Sequence, residues 1–255
     1  MTSLRLIITI ALTIMLTACA GAGSYNGKSL AAIGNPSPLL ANSTEPLQVL
    51  VIGGTSGVGL EVVKLSLARG HKVTAVARRP ERMTINHPAL RTVKGDITKV
   101  ESMYETLPGN QIVISAVGIA AGSRNVKVFS KGIKNVLLAM QQSSIDRLIT
   151  VSAIGVGESE GHGGFFFDSL LKPLVLNSDI EDKGRQEKLV KNSKANWTIV
   201  RPGFLTDKSL SEGYYVIDKL EGVEAGEISR SDVAHFIVAC FEDNLYHRQT
   251  VLLSN

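Results

Sequence analysis

The pattern of apolar and polar positions along the chain changes character near residue 47. Downstream, short β-branched runs alternate with stretches whose apolar residues recur at helical spacing. The runs at 48–52, 72–77, 90–94, 111–115, 147–151, 197–200 and 250–253 predict strands. The segments 58–68, 100–107, 127–142, 182–191 and 229–242 predict helices, and residues 155–176 read as a loop. Strands alternating with helices place right-handed crossovers on a parallel sheet. The expected fold class is α/β, a single doubly wound domain with a mainly parallel sheet over residues 47–255. Upstream, residues 20–46 are rich in Gly, Ala, Ser, Asn and Pro without sustained periodicity, the composition of a flexible linker.

Residues 1–19 follow a third pattern: one early charge at Arg5, an apolar stretch over 6–16, then Leu16-Thr17-Ala18-Cys19. A basic start, a short apolar core and small residues before a cut point are the parts of a secretory signal peptide. The apolar stretch is too short to span a ~30 Å hydrocarbon layer. Its ending resembles the bacterial lipobox, which implies a lipid on Cys19. The expected protein is a membrane-anchored lipoprotein on the periplasmic or extracytoplasmic side. The alternative is a cytoplasmic protein whose leader is not a functional signal.

Composition narrows the chemistry. Hydrophobic residues make up 44% and charged residues 20%, enough for a buried core, and the formal net charge is +4. There is no long basic run and no basic stretch interleaved with aromatics, so nucleic acid is not expected as a partner. Cys19 and Cys240 form no CxxC pair and the five histidines are scattered, so no metal site is expected. Cys240 falls in an apolar helical run and is expected to be a buried free thiol.

The turn after the first strand of the domain reads Gly53-Gly54-Thr55-Ser56-Gly57-Val58-Gly59 and opens the first helix. Glycines there allow a tight turn and let backbone N–H groups approach a pyrophosphate, with the helix N-terminus adding partial positive charge. This GxxxGxG spacing resembles the short-chain dehydrogenase/reductase superfamily, whose domain is a Rossmann fold. Gly95-Asp96-Ile97, Ser115-Ala116-Val117-Gly118, Thr150-Val151-Ser152-Ala153, Trp197–Gly203 and Ser229–Ala234 extend the likeness along the chain. Together they are similar to the atypical branch with NmrA-like proteins and the biliverdin reductase B/flavin reductase group. The resemblance implies a cofactor site built from Gly53, Thr55, Ser56, Gly57, Val58, Gly59, Asp96, Ile97, Ala116, Val117, Gly118 and Ser152.

NAD-binding domains carry an acid at the end of the second strand, where it pairs with the ribose 2′-hydroxyl. This chain has Arg78 and Arg79 there. A guanidinium grips a 2′-phosphate with two hydrogen bonds, so the expected cofactor is NADP(H) rather than NAD(H).

The superfamily's Tyr-xxx-Lys pair has no tyrosine here. Lys183 stands in the lysine place, but Asp179 stands where tyrosine would be. A Tyr215-xxx-Lys219 spacing occurs later, in a stretch that reads as extended, where residues four apart lie about 13 Å from one another. The remaining candidate catalytic residues are Ser152, Lys183 and the loop histidine His162. The neighbouring Phe165-Phe166-Phe167 reads as core packing or as an apolar wall for a flat substrate. A conjugated acceptor such as a flavin or quinone takes hydride without a protein tyrosine. Two expectations follow: a reductase of a small conjugated acceptor, or a non-catalytic NADP(H)-binding redox sensor or assembly factor of NmrA-like type. Export of a domain that uses a cytoplasmic reductant is a tension within the sequence itself.

Overall fold

The computed structural model describes Ala31–Gly34 by its backbone, together with residues 45–120 and 122–255. The leader with Cys19, and most of the linker, lie outside the described residues.

A nine-stranded sheet organises the molecule. Its strands are β1 (Ala31–Gly34), β2 (Gln48–Ile52), β3 (Lys72–Ala77), β4 (Leu90–Lys94), β5 (Ile112–Ser115), β6 (Arg147–Val151), β7 (Asn196–Pro202), β9 (Gly213–Ile217) and β11 (Gln249–Ser254). The order across the sheet is β1-β9-β11-β7-β6-β5-β2-β3-β4. Every pairing from β4 to β11 is parallel, and β9 runs antiparallel to both β11 and β1. A separate parallel pair joins β8 (Phe204–Thr206) to β10 (Glu227–Ser229).

Helices cover both faces, as a sheet with two apolar faces requires. One face carries α1 (Gly57–Ala68) against α5 (Arg230–Glu242), over Val49, Val51, Val63, Ile114, Phe236 and Val251. The other carries α2 (Val100–Thr106), α3 (Val128–Ser143) and α4 (Asn177–Lys191), over Leu50, Val113, Ile133, Leu148 and Ile199. Val49, Leu50 and Val51 are all fully buried, the continuous apolar run of a strand covered on both sides. The doubly wound architecture read from the sequence is the one observed. Cys240 is buried on α5, as expected.

Three local expectations need correction. Residues 31–34 fall inside the expected flexible linker, yet they form a strand. The outer edge of β9 leaves a row of backbone donors and acceptors, and β1 fills it, Ala31 opposite Val216 and Gly34 opposite Gly213. The expected loop 155–176 is helical from Gly164: a turn over Gly164–Phe166 leads into π-helical turns over Phe167–Leu176. Pro173 lies within those turns, where it has no N–H to donate to a tighter ladder. Finally, α4 starts at Asn177 rather than 182, because Asp179 and Asp182 point inward and break the apolar period.

Candidate functional site

The dinucleotide side of the site is built by close backbone approach. Gly53 (φ +87°) turns the chain after β2, and its N–H donates to Val76 O at 2.9 Å. A Cβ on Gly53 would lie 2.6 Å from Ala116 O, and one on Gly59 would lie 2.3 Å from Gly53 O. Neither position has room for a side chain, so the two glycines let the β2 turn, the β5 end and the start of α1 touch. Gly57 (φ +56°) is exposed on the outer side of the turn. Ser56 is the N-cap of α1, but its hydroxyl makes no cap hydrogen bond. Leu60 N–H is the first to close back, onto Ser56 O at 3.3 Å. The N–H groups before it have no partner within the helix. An exposed glycine turn, an uncommitted serine hydroxyl and a helix N-terminus together fit the pyrophosphate of a dinucleotide. Thr55 stands at the same turn, half-buried, while Val58 is turned into the core.

Arg78 and Arg79 are exposed just past the end of β3. Asp96, past the end of β4, accepts from Thr98 N at 2.9 Å and from Thr98 Oγ1 at 2.8 Å. Burial pushes its carboxyl up, but the bonds from Thr98 and the charges of Arg78 and Lys99 together hold it below the usual range. Ile97 is buried against Gly132, and its carbonyl accepts from Asn135 Nδ2 at 2.9 Å. Past β5, Ala116 and Val117 are half-buried, while a Cβ on exposed Gly118 would meet nothing within 4 Å. These residues surround one crevice outside the carboxyl ends of the strands, where the strand order reverses between β2 and β5.

The other side of the crevice is made of charge. Lys183 on α4 donates to Val151 O at 3.4 Å, and its Nζ lies 4.2 Å from the centroid of the Phe129 ring. Burial lowers its pKa to about 8 against the raising effect of Glu187, Asp179 and Asp182. One helical turn nearer the strand ends is Asp179, 8% exposed, with Oδ1 lacking any hydrogen-bond partner. Burial pushes this carboxyl up, opposed by Lys183 and reinforced by Asp182. Asp182 is committed elsewhere: it accepts from Phe129 N at 2.8 Å and from Ser130 N at 3.3 Å, capping the start of α3.

Behind Lys183 lies a buried ion network. Ser152 Oγ donates to Glu187 Oε1 at 2.6 Å. Arg201 grips both oxygens of Glu187, Nε to Oε1 at 2.9 Å and Nη2 to Oε2 at 2.5 Å, and also reaches Glu158 at 2.6 Å. The Arg201 hydrogen bond is the main cause of a Glu158 pKa lowered to about 2.

The model of a family described as NAD(P)H-binding matches residues 53–244. The chain belongs to that family. Among relatives, an uncharacterised chloroplast protein of Arabidopsis thaliana is 30% identical over 210 residues, covering 77% of this chain and 72% of the relative. The photosystem II assembly factor Ycf39 of Synechocystis is 25% identical over 214 residues, covering 80% of this chain and 61% of that protein. Among solved structures, the oxidoreductase ylbE of Lactococcus lactis superposes with a TM-score of 0.71 at 22% identity, covering 82% of this chain and 91% of that one. ChuY of Escherichia coli O157:H7, described as an anaerobillin reductase, gives 0.70 at 22% identity, covering 81% and 96%. A short-chain dehydrogenase/reductase of Veillonella parvula in complex with NADP gives 0.68 at 16% identity, covering 82% and 94%.

Within this NAD(P)H-binding frame, the residues singled out in the sequence divide. The glycine turn, Arg78, Asp96, Ala116–Gly118 and Lys183 come together around the crevice. Ser152 reaches the end of β6 but is 3% exposed, and its hydroxyl is held by Glu187, so it acts as a structural link rather than a group facing substrate. His162 is likewise structural: its Nδ1 pairs with Val223 O at 2.8 Å, and its carbonyl accepts from Ala225 N at 2.8 Å. Tyr215 stands on β9 opposite Ala32 and Ser254, within the sheet pairing and away from Lys183 on α4.

Two features were not anticipated. Arg230, at the first turn of α5, brings its Nε within 3.8 Å of where a Gly57 Cβ would lie, beside the phosphate cradle, while its Nη1 pairs with exposed Asp207 at 2.8 Å. It belongs to the Ser229–Ala234 stretch quoted above, but only the packing of α5 on α1 brings it to the turn. The other is the burial of Asp179 and Glu187, which a helix would ordinarily turn to solvent, together with Arg201 on β7.

Proposed function

We propose that this protein is an NADP(H)-dependent reductase of the atypical short-chain type, transferring hydride to a small conjugated acceptor such as a flavin or quinone. The observation that carries the reading is the Asp179–Lys183 pair at the crevice: the lysine place is kept while the tyrosine place holds a buried carboxyl with an open oxygen. NADPH, when bound, supplies the hydride. The protein's own residues then bind and orient. The glycine turn with Ser56 and Arg230 holds the pyrophosphate, Lys183 holds the nicotinamide ribose, and Gly118 leaves open room beside it. Preference for the 2′-phosphate rests on Arg78, with Arg79 beside it, at a strand end that carries no acid. An acceptor that delocalises negative charge and takes its proton through water suits a site without tyrosine. ChuY, described as an anaerobillin reductase, and the Veillonella protein in complex with NADP point in the same direction. In this reading the leader gives the activity a lipid anchor at Cys19, and β1, inside the expected linker, already belongs to the sheet of the NAD(P)-binding domain.

The second reading, a non-catalytic NADP(H)-binding sensor or assembly factor, is favoured by the engagement of Ser152 with Glu187 and by the name of Ycf39. NADPH oxidation followed with flavin mononucleotide, menadione and biliverdin separates the two. Turnover with at least one of them supports the reductase. Tight NADP(H) binding by calorimetry without turnover of any supports the sensor.

A further inference from the structure

The helical stretch from Gly164 to Leu176 has two unlike faces. Inward, Phe167 is 4% exposed and meets Phe204 edge-on at 5.3 Å between centroids. It clusters with Ile154, Ile217 and Val223. Outward, Phe165 is 83% exposed, Leu174 77%, Leu170 44% and Phe166 42%. The stretch holds two charges, Asp168 and Lys172, and neither lies on that outward face. Asp168 accepts from Gly163 N at 3.0 Å, and Lys172 donates to Glu160 at 2.5 Å. A helix facing water ordinarily does the reverse. An apolar stripe with its charges turned away is the arrangement of a helix lying in a membrane interface.

The position of the stripe relative to the leader identifies what covers it. Phe167 clusters with Ile217 and Tyr215 of β9, and β9 pairs with β1, where Ala31 stands opposite Val216. The chain upstream of Ala31 therefore joins the sheet one strand away from the element on which the stripe is seated. Residues 20–30 separate Ala31 from Cys19 and reach at most about 40 Å when extended. A lipid on Cys19 thus holds the stripe within reach of the bilayer at high effective concentration. The same helical rod continues into α4, so the stripe ends just before Asp179 and Lys183.

We propose that Phe165, Phe166, Leu170 and Leu174 form a second membrane contact of a lipid-anchored protein, laying the mouth of the crevice on the bilayer surface so that a lipid-soluble acceptor of the quinone class enters from there. The inference rests on the lipoprotein and reductase readings above. Reduction of a quinone to its quinol there consumes one hydride from NADPH and one proton delivered through water, and NADP⁺ is released.

The test uses the full chain carrying Cys19→Ser and Leu174→Cys, labelled with a nitrobenzoxadiazole fluorophore; Cys240 is fully buried and escapes labelling. Vesicles of phosphatidylethanolamine and phosphatidylglycerol are expected to shift the emission to the blue, and lipids brominated near the glycerol end of the acyl chain to quench it. A label at Leu245→Cys, 40% exposed and joined through its carbonyl to Arg147 at the amino end of β6, is expected to stay in water. A polar spectrum at Leu174→Cys overturns the proposal, whether or not the protein pellets with the vesicles. A blue spectrum without vesicles also overturns it, because a second copy or the leader then covers the stripe. Leu170→Cys provides the same readout if the first label disturbs folding, which NADP(H) calorimetry reports. Because Cys19 is replaced, the apolar stretch of the leader, rather than a lipid, holds the full chain near the vesicle in this experiment. Lipidation is decided by fractionating wild type against Cys19→Ser, and the reductase reading by the acceptor assay.

Discussion

The two sides of the crevice are built on different physics. The dinucleotide side, from β2 to β5, is assembled from apolar strands and from glycines that let backbone touch backbone. The opposite side, from β6 through α4 to β7, is assembled around charge taken out of water. All the buried Asp, Glu and Arg residues among those described, namely Arg147, Asp179, Asp182, Glu187, Arg201 and Asp232, fall in the later part of the chain. Backbone contact makes a precise cradle for a ligand part common to many enzymes. Buried charge costs desolvation and is tolerated when paired, so this side is held by its ion pairs, Arg201 with Glu187 above all.

That contrast can be broken from either side. Gly59→Ala forces a Cβ into the Gly53 carbonyl and is expected to abolish measurable NADP(H) binding, with a loss of about 3 kcal/mol in denaturant unfolding. Glu187→Ala strips Arg201 of its bidentate partner and also releases Ser152. Breaking a buried pair costs about 3–5 kcal/mol, and Arg201's remaining contact with Glu158 places this variant near the lower figure. Dinucleotide affinity should survive in whatever fraction stays folded. Arg78→Ala has the opposite profile: affinity for NADP(H) falls about tenfold or more while unfolding moves by no more than about 0.5 kcal/mol. NAD(H) binding measured alongside should be unchanged.

The smaller effects depend on pH. Lys183 loses its charge as pH rises through about 8, so nicotinamide-nucleotide affinity is expected to decline severalfold over that range, and Lys183→Met should flatten the profile. Asp179 has a raised pKa in the folded protein, so its ionisation opposes folding. Its share of stability is present below the unfolded value of 3.8 and is lost as pH climbs through the folded value. Asp179→Asn is therefore expected to raise the melting temperature at neutral pH, leave it little changed in strong acid, and lower turnover. A variant both more stable and equally active would remove Asp179 from the site.

The glycine turn was legible because its determinants are local. Gly53, Gly57 and Gly59 sit within one turn, and the β-branched run before them and the apolar period after them identify a strand entering a helix. Arg78 follows from counting to the end of the next strand. Arg230 was not legible, because its place beside Gly57 comes from helices α1 and α5 packing across the sheet. The polar half misled for a related reason. Acidic residues on a helix read as a solvated face, so the inward turn of Asp179, Asp182 and Glu187 hid the true start of α4. Ser152 was singled out by its place at a strand end and His162 by residue type, whereas their partners, Glu187 and Val223, come from distant segments.

β1 carries a further consequence, for the order in which the protein is made. Its partner β9 is itself seated on β11, the last strand of the chain. The first of the described strands to leave the ribosome thus waits for a partner made much later, and closing that long loop is slow relative to local helix formation. During synthesis, residues 31–34 have no strand to pair with until β9 has been made. The finished sheet then closes the outer edge of β9 with β1.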